Sequence, residues 1–238
     1  MLEPREMVAL VDLTSLGGEE TDAEIAALCA QAQTPAGPVA AVCVYGRYVP
    51  RAVAELEGTG IPVAAVANFP EGDLDAERAV RETEQAVRDG AREIDVVLPW
   101  RAFAAGDRAG AMAVVEAVRE ACPVLLKVIL ESGRLREPEL IGAAARDSLA
   151  VGADFVKTST GKLQPAATLP AATVMLEAVR DHGIGGFKAS GGIRTAEEAA
   201  GYLELADALF GREWARPATF RFGASSLLGD LLRGSPPQ

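Results

Sequence analysis

Lysine is the residue whose placement most suggests chemistry in this chain. Of the 23 Lys and Arg residues, four are lysines, namely Lys127, Lys157, Lys162 and Lys188, and the other 19 are arginines. Each lysine lies within or just after an apolar, strand-like run. A guanidinium cannot lose its proton in a protein, whereas an ammonium can, and a neutral amine attacks carbonyl carbon. The pattern predicts a nucleophilic lysine, with chance survival in an Arg-rich composition as the alternative.

Lys157 is the strongest candidate, in the stretch GADFVKTSTGK that runs from Gly152 to Lys162. Charges within buried strands are costly unless they are paired or functional. Five stand out in the strand-like runs: Asp12, Asp95, Lys127, Lys157 and Lys188. If all five face one interior, their charges sum to +1, and loss of one lysine proton neutralises the cluster. A cationic neighbour and partial burial would lower a lysine pKa toward neutrality.

The single histidine, His182, excludes whole classes of mechanism. A zinc site built from several imidazoles is impossible, and a Ser-His-Asp triad would require His182 itself. His182 precedes Gly183, where we expect a helix to end, so it is interpreted as a complement to the helix dipole. Cys29, Cys43 and Cys122 lack CxxC spacing and are expected to be small buried side chains without disulfides.

Composition indicates a soluble globular enzyme or binding protein. Hydrophobic residues make up 49% of the 238 residues, charged residues 24%, and the net charge is −11. That charge argues against non-specific nucleic-acid binding, which needs clustered cations. The acidic N-terminus MLEPREMVALVDL does not match a signal peptide, and no apolar run reaches the length of a membrane span. We therefore expect a cytoplasmic protein with no membrane partner.

Eight short runs rich in Val, Ile and Ala have the composition of buried strands. They begin near Val8, Val39, Pro62, Glu93, Val124, Ala153, Gly186 and Phe220. Between them, apolar residues at three- and four-residue spacing predict helices, most clearly over 75–88, 109–120, 138–150, 170–181 and 196–206. Thr21 with Glu24 and Thr195 with Glu198 form predicted capping boxes, which mark two helix starts.

The alternation of these elements predicts an α/β protein with a single (β/α)8 TIM barrel. Near-continuous apolar strands indicate burial on both faces, as in a parallel sheet covered by helices. Eight strand and helix units account for the whole chain, 1–238, with 234–238 as a flexible tail. A doubly wound open sheet is the alternative, but its glycine-rich first turn is absent, because VDLTSLGG does not match GxGxxG.

A barrel also predicts where the site lies. Active sites form at the C-terminal ends of the strands, and the loops after strands seven and eight often hold phosphate. Those loops contain Gly191 and Gly192, and Ser225 and Ser226. Glycines let the backbone approach a ligand closely, and serines add hydroxyls. We expect an anion site there; two ordinary turns are the alternative.

Long motifs in the same order resemble those of the deoxyribose-phosphate aldolases. They are VDLTSL, AVCVYGRYVP, ANFPEG, EIDVVLPWRA, LLKVILESG, GADFVKTSTGK, GFKASGGIRTAEEA and FRFGASSLL, and they run nearly end to end. The resemblance implies a barrel enzyme without metal or other cofactor that reversibly cleaves 2-deoxy-D-ribose 5-phosphate to acetaldehyde and D-glyceraldehyde 3-phosphate. By analogy, barrels of this kind also form homo-oligomers, here a dimer or a tetramer.

The resemblance also implies roles for particular residues. Lys157 would form the Schiff base, and Lys188 would be the second lysine that perturbs the pKa of Lys157. Asp95 would work with water as an acid/base relay. The supporting residues would be Asp12, Thr14, Lys127 and Cys43. The phosphate would be held by Gly161, Lys162, Gly191, Gly192, Ser225 and Ser226.

Departures from the family pattern occur at the chain end and near the expected pocket rim, and the rim substitutions do not touch the proposed chemistry. Some members end in a catalytic tyrosine, whereas this chain ends in GSPPQ and its last tyrosine is Tyr202, so that function is expected to be absent or replaced. Gly46 and Ala189 stand where close relatives have proline. There are two alternatives: a class I aldolase of different aldehyde specificity, because the motifs indicate imine chemistry more strongly than the aldehyde accepted, and a phosphosugar-binding barrel without catalysis.

Overall fold

Eight parallel strands close into a barrel in the computed structural model, which describes residues 2–233. They are β1 (Val11–Thr14), β2 (Ala41–Tyr45), β3 (Val63–Ala67), β4 (Glu93–Val97), β5 (Leu125–Ile129), β6 (Phe155–Lys157), β7 (Gly186–Ser190) and β8 (Phe220–Ala224). Strands follow chain order around the barrel, and β1 pairs with both β2 and β8. The predicted (β/α)8 barrel is confirmed. The predicted tail, 234–238, lies outside the described residues.

Helices cover the outside of the barrel and alternate with its strands. They are α1 (Pro4–Val8), α2 (Asp22–Gln31), α3 (Val49–Glu55), α4 (Ala76–Arg88), α5 (Trp100–Ala104), α6 (Arg108–Ala121), α7 (Ser132–Leu135), α8 (Pro138–Ala150), α9 (Leu169–His182), α10 (Ala196–Phe210) and α11 (Leu227–Arg233). A 3-10 turn spans Gly46–Tyr48, and Gln33–Thr34 pairs with Gly37–Pro38 in a small hairpin. None of the helices within residues 2–233 combines the length and apolar character needed to cross a membrane.

Local sequence signals explain most of the helix boundaries. Both predicted capping boxes are confirmed: Thr21 accepts a hydrogen bond from the Glu24 amide, and Thr195 accepts one from the Glu198 amide. Helix α9 ends at Gly183, whose φ of 85° suits a residue without a Cβ. His182 is therefore the exposed last residue of a helix, as predicted.

The first predicted strand begins too early. Val8 is the last residue of α1, and β1 starts at Val11. Pro4 stands in the first turn of α1, and Glu3 and Glu6 form a capping box, both of which favour a helix start. The apolar run VALVDL alone does not separate the end of a helix from the start of a strand.

The apolar core lies mainly between the strands and the helices around them. Inside the barrel, a smaller apolar cluster of Leu16, Ala41, Cys43, Ala64 and Val66 packs on the side of β1 to β3. Three of these five side chains are as small as alanine or cysteine. Small residues on one wall leave interior room for the long side chains that β5 to β8 contribute from the opposite wall.

Candidate active site

Seven charged side chains meet in the interior of the barrel. They are Asp12 on β1, Glu93 and Asp95 on β4, Lys127 on β5, Lys157 on β6, Lys188 on β7 and Arg221 on β8. All seven are buried, and Lys157 is 2% exposed. Strand register brings them together, since Asp95 lies opposite Lys127, and Lys188 lies opposite both Lys157 and Arg221.

Asp95 is the centre of this interior network and accepts hydrogen bonds from all three lysines. Its Oδ2 atom lies 2.7 Å from the Lys157 Nζ and 2.8 Å from the Lys188 Nζ. Its Oδ1 atom lies 2.8 Å from the Lys127 Nζ. One carboxylate thus holds three amines within reach of one another, as the sequence predicted for Lys157, Lys188 and Asp95.

Glu93 and Arg221 complete the network and were missed from the sequence. Arg221 donates to Asp12 at 2.6 Å and to Glu93 at 3.1 Å. Lys127 also donates to Glu93, and Lys188 also donates to Asp12. A signal was available: Glu93 is two residues from Asp95 and shares its strand face, and Arg221 alternates with apolar residues of β8. With Glu93 and Arg221 included, the network has four cations and three carboxylates, and its net charge when fully ionised is still +1.

Lys157 differs from the other two interior lysines in the direction of its pKa. Burial lowers the pKa of Lys157, Asp95 opposes that effect, and the charge of Lys188 adds to it. For Lys188, burial is outweighed by Asp12 and Asp95, which raise its pKa. For Lys127, Asp95 and Glu93 outweigh burial in the same way. Lys157 is therefore the amine that loses its proton most readily.

The carboxylates of Asp12 and Asp95 stay ionised in this environment. Burial alone would raise the pKa of Asp95, but Lys127, Lys157 and Lys188 together hold it well below the usual range. At Asp12, Lys188, Lys127 and Arg221 likewise outweigh burial and lower the pKa. The protonated lysines and the ionised carboxylates thus stabilise each other's charged forms.

A cavity of about 420 Å³ opens above this network at the C-terminal ends of the strands. All six residues predicted for phosphate line it: Gly161, Lys162, Gly191, Gly192, Ser225 and Ser226. Ser190 and Gly223 also line it. A Cβ at Gly223 would lie 2.9 Å from Cε of Lys188, so the cavity reaches down to the charged network.

The two glycine-containing loops of the cavity approach each other closely. A Cβ built on Gly191 would lie 3.2 Å from the Cα of Gly161 and 2.7 Å from the Cβ of Ala166. Gly161 and Gly191 have φ values of 80° and 95°, which L side chains rarely adopt. The Lys162 ammonium reaches across the cavity and donates to the main-chain carbonyl of Leu16. The two glycine-containing loops and the Lys162 ammonium therefore border a space suited to an anion.

Of the supporting residues predicted from the sequence, Asp12 and Lys127 belong to the charged network, and Thr14 and Cys43 lie opposite each other on β1 and β2. Thr14 is half-buried, lines the cavity, and donates from its hydroxyl to the Asp12 carbonyl at 2.8 Å. Cys43 is fully buried, and burial raises the pKa of its thiol. None of the three cysteines is in a disulfide, as predicted. Ala189 belongs to the core outside the barrel, so this departure from the family pattern does not face the cavity.

No metal site is evident in the described part of the chain. Within residues 2–233, no group of three or more His, Cys, Asp or Glu side chains is arranged to hold a metal ion. The three interior carboxylates instead accept hydrogen bonds from lysine and arginine. The absence of a metal cofactor stays a prediction from the sequence.

Fold and site together define a (β/α)8-barrel protein with a buried, readily deprotonated lysine below an anion-suited cavity, an arrangement fitted to carbonyl chemistry. Comparison with known families gives the same class. Residues 6–231 match the model of the DeoC/LacD family of aldolases, and the chain belongs to that family. Aldolases are carbon-carbon lyases, so the protein is placed among the lyases.

Solved structures of similar proteins agree with this family. A protein from Coccidioides immitis, provisionally classed as a deoxyribose-phosphate aldolase, is 32% identical over 96% of this chain and 86% of its own, with a TM-score of 0.84. One from Toxoplasma gondii ME49, also provisionally classed so, is 28% identical over 97% and 94%, with a TM-score of 0.88. The deoxyribose phosphate aldolase of Aeropyrum pernix, described as a tetramer, is 24% identical over 97% and 91%, with a TM-score of 0.78, and shares the fold.

Proposed function

We propose that the protein is a class I aldolase that reversibly cleaves 2-deoxy-D-ribose 5-phosphate to acetaldehyde and D-glyceraldehyde 3-phosphate. The observation that carries this proposal is the contrast among three lysines on one carboxylate. Lys157 has a lowered pKa, whereas Lys127 and Lys188, which share Asp95 with it, have raised ones. An amine nucleophile needs this deprotonated state, and fixed positive charges beside it favour that state.

The proposed reaction begins with attack by the neutral Lys157 amine on C1 of the open-chain sugar. The hydroxyl of the resulting carbinolamine takes a proton from solvent and leaves as water, and the product is an iminium ion that carries the positive charge that Lys157 had lost. The charge of the network is thereby restored to its fully ionised value, and the Asp95 oxygen 2.7 Å from the Lys157 nitrogen is placed to stabilise it. The cation forms where a carboxylate already lies.

Carbon-carbon cleavage then uses the iminium as an electron sink. A base removes the proton of the C3 hydroxyl, the C2–C3 bond breaks, and its electron pair moves toward the nitrogen, which gives an enamine and glyceraldehyde 3-phosphate. Asp95 acting through water is the proposed base, because it is ionised and central. The enamine takes a proton at C2, and hydrolysis releases acetaldehyde and regenerates Lys157. This scheme uses the chain's own groups and needs no cofactor.

The phosphate end of the substrate is assigned to the cavity above the network. Gly161, Gly191 and Gly192 all have positive φ and expose backbone there, and Lys162 adds a point charge. Ser225 and Ser226, which follow the neighbouring strand β8, supply exposed hydroxyls to the same cavity. Lys157 and Lys162 are five positions apart, so one segment would orient both ends of a sugar phosphate.

Trapping the covalent intermediate tests this proposal. The protein is incubated with acetaldehyde or with 2-deoxyribose 5-phosphate, reduced with borohydride, and digested for mass spectrometry. We expect one reductively attached adduct on the peptide that contains Lys157. A label on Lys188, or no label at all, would contradict the assignment of Lys157 as the Schiff-base lysine.

Two alternatives lead to different outcomes in steady-state assays. An aldolase of different aldehyde specificity would form the Lys157 adduct but would turn over 2-deoxyribose 5-phosphate no faster than unphosphorylated 2-deoxyribose. A non-catalytic phosphosugar-binding barrel would bind the phosphate and cleave neither sugar. We expect a clear preference for the phosphorylated sugar, because the cavity above the network offers groups that would bind its phosphate.

Assembly and location are parts of the proposal that need separate measurements. We expect a homodimer or a homotetramer; the Aeropyrum pernix relative, described as a tetramer, is the precedent. Light scattering of the purified protein would determine the mass of the assembly. A cytoplasmic role in the breakdown of deoxyribonucleotide-derived sugars is expected from the proposed substrate, and fractionation of the producing cells would test the location.

A further inference from the structure

Glu131 is a fully buried carboxyl group that the proposed reaction does not use. It follows β5 and has a φ of 55°, in the left-handed region that side chains other than glycine rarely adopt. Burial raises the pKa of its carboxyl group, even though Thr160 donates hydrogen bonds to it. Its Oε1 atom has no hydrogen-bond partner among the described residues. A buried, partly unsatisfied carboxyl costs stability, which points to a function for the contacts that it does make.

The hydrogen bonds of the Glu131 side chain all go to the loop after β6, which lines the cavity. The Oε2 atom of Glu131 accepts from the Thr160 hydroxyl at 2.5 Å and from the Thr160 amide at 3.3 Å. The same Thr160 hydroxyl accepts from the Lys162 amide at 3.1 Å. Glu131, Thr160 and Lys162 therefore form one hydrogen-bonded chain, with Gly161 between its last two members.

The residues that follow Glu131 also hold this loop. A Cβ at Gly133 would lie 1.8 Å from the carbonyl oxygen of Pro165, so α7 lies directly against the far end of the loop. Arg134 donates to the Gln164 carbonyl at 3.5 Å. Residues 131–134 thus contact the loop at three points, and the Glu131 contact is the one nearest to Gly161 and Lys162.

Lys157 and Thr158 are held by a different set of contacts. The Thr158 amide donates to the Lys188 carbonyl at 3.0 Å, and the Ser132 amide donates to the Thr158 carbonyl at 2.8 Å. The Thr158 hydroxyl donates to the Ser190 carbonyl at 3.0 Å. These bonds between neighbouring strand ends do not involve the Glu131 side chain. Loss of that side chain should release residues 160–162 and leave Lys157 in place.

We infer that Glu131 is a positioning residue that fixes the loop of Gly161 and Lys162 through Thr160 and so sets the affinity for the phosphate end of the substrate. Because Gly161 lies against Gly191, the same contact also sets the separation of the two glycine-containing loops. Glu131 does not line the cavity and does not touch the proposed substrate. This inference rests on the proposed cleavage of a sugar phosphate.

Steady-state kinetics with two substrates distinguishes positioning from general support. In Glu131→Ala, we expect KM for 2-deoxyribose 5-phosphate to rise about tenfold, the effect of about one buried hydrogen bond, with kcat much less changed. Activity on unphosphorylated 2-deoxyribose should stay within about twofold, since it gains nothing from the phosphate loops. Glu131→Gln, which keeps an acceptor oxygen, should recover most of the loss.

Three further variants keep the test decisive. Glu139→Ala removes an exposed carboxylate from the first turn of α8 and is the matched control, expected to behave as wild type. If Glu131→Ala does not fold, Thr160→Val serves instead, because it removes the hydroxyl that joins the Glu131 carboxyl group to the Lys162 amide. Thr160→Ser restores that hydroxyl. Equal losses on both sugars, or no loss on either, would overturn the inference.

Binding of inorganic phosphate separates this inference from the proposed function. Calorimetric titration of the wild type and of Glu131→Ala with inorganic phosphate needs no turnover. We expect Kd to rise about tenfold in the variant. An unchanged Kd, or no phosphate binding by the wild type, overturns the role of Glu131. A wild type that binds phosphate but does not cleave 2-deoxyribose 5-phosphate contradicts the proposed function alone.

Discussion

At the scale of single residues, identical side chains acquire different chemistry from their neighbours. Lys127, Lys157 and Lys188 all donate to Asp95, at distances that differ by 0.1 Å. Lys188 has a second carboxylate partner, Asp12, and Lys127 has two further ones, Glu93 and Asp12, whereas Lys157 forms an ion pair with Asp95 alone among residues 2–233. The number of carboxylates per amine therefore accounts for which lysine loses its proton first.

Replacing Lys157 by arginine tests the need for a neutral amine. Lys157→Arg keeps the positive charge beside Asp95, but its guanidinium does not deprotonate in a protein and cannot form an imine. We expect cleavage to fall at least about a thousandfold and the borohydride-trapped adduct to disappear. Thermal unfolding of the variant would show whether it still folds. Retained activity in a folded variant would exclude Lys157 as the nucleophile.

The charge of Lys188 should set the pH at which Lys157 becomes reactive. Lys188 lowers the pKa of Lys157, so Lys188→Met should raise that pKa, and reactivity should begin at higher pH. A shift of about one unit is expected for loss of one close charge. The measurement is the rate of reductive alkylation of Lys157 by acetaldehyde and cyanoborohydride across pH, which needs no turnover.

Lys162→Met is the control for this pH shift. It also removes one lysine charge, but Lys162 is exposed and makes its hydrogen bond to the Leu16 carbonyl outside the buried network. Because water screens the Lys162 charge, the midpoint pH of Lys157 alkylation should stay unchanged in this variant. A midpoint in Lys188→Met that stays or moves to lower pH would show that Lys188 does not perturb Lys157.

The sequence indicated the interior lysines better than their partners. Lys157 and Lys188 were predictable because lysine is rare in this chain and both stand in apolar runs. Arg221 was missed because arginine is common in this chain. Glu93 shares a strand face with Asp95 but was missed because strand parity alone does not show which face is the interior one, which the barrel register does. Glu131 was missed for a different reason: its role depends on a hydrogen bond to Thr160, 29 positions away.

At the scale of elements, the lack of a side chain at one position of a strand makes room for a side chain of the neighbouring strand. Gly223 on β8 lies opposite Ser190 on β7. A Cβ there would lie 2.7 Å from the Ser190 Oγ and 2.9 Å from the Lys188 Cε. The absence of a side chain on β8 therefore lets Lys188 extend to Asp12 and Asp95. Strand order was predictable from the alternation of elements, whereas this close approach was not, because it depends on the stagger between two strands.

Gly223→Ala should impair catalysis through the position of Lys188. The added methyl group would lie 2.7 Å from the Ser190 Oγ and 2.9 Å from the Lys188 Cε, so these side chains must shift, and overpacking of this kind costs about 1–3 kcal/mol. We expect kcat to fall at least about tenfold in a folded protein. Gly201→Ala on α10 is the matched control, because its Cβ would lie 3.5 Å from Leu169, an ordinary contact. Equal kinetics in the two variants would contradict this role of Gly223.

At the scale of the whole molecule, an ion network replaces much of the apolar filling expected inside a barrel. Seven buried charges connect β1, β4, β5, β6, β7 and β8, so the network spans six of the eight strands. Buried ion pairs add little net stability compared with apolar packing, but loss of one partner leaves an uncompensated charge. The proposed chemistry and the integrity of the fold therefore depend on the same groups.

Two arginine substitutions separate buried from exposed ion pairs at the level of global stability. Arg221 lies 2.6 Å from Asp12 with 6% of its side chain exposed, and Arg51 lies 2.6 Å from Glu55 with 40% exposed. Arg221→Met should lower the free energy of unfolding by about 3–5 kcal/mol, because oxygens of Asp12 and Glu93 lose their partner inside the barrel. Arg51→Met should lower it by about 0.5 kcal/mol or less, since water replaces the lost partner. Urea unfolding at neutral pH gives both values, and equal costs would show that water already reaches the interior network.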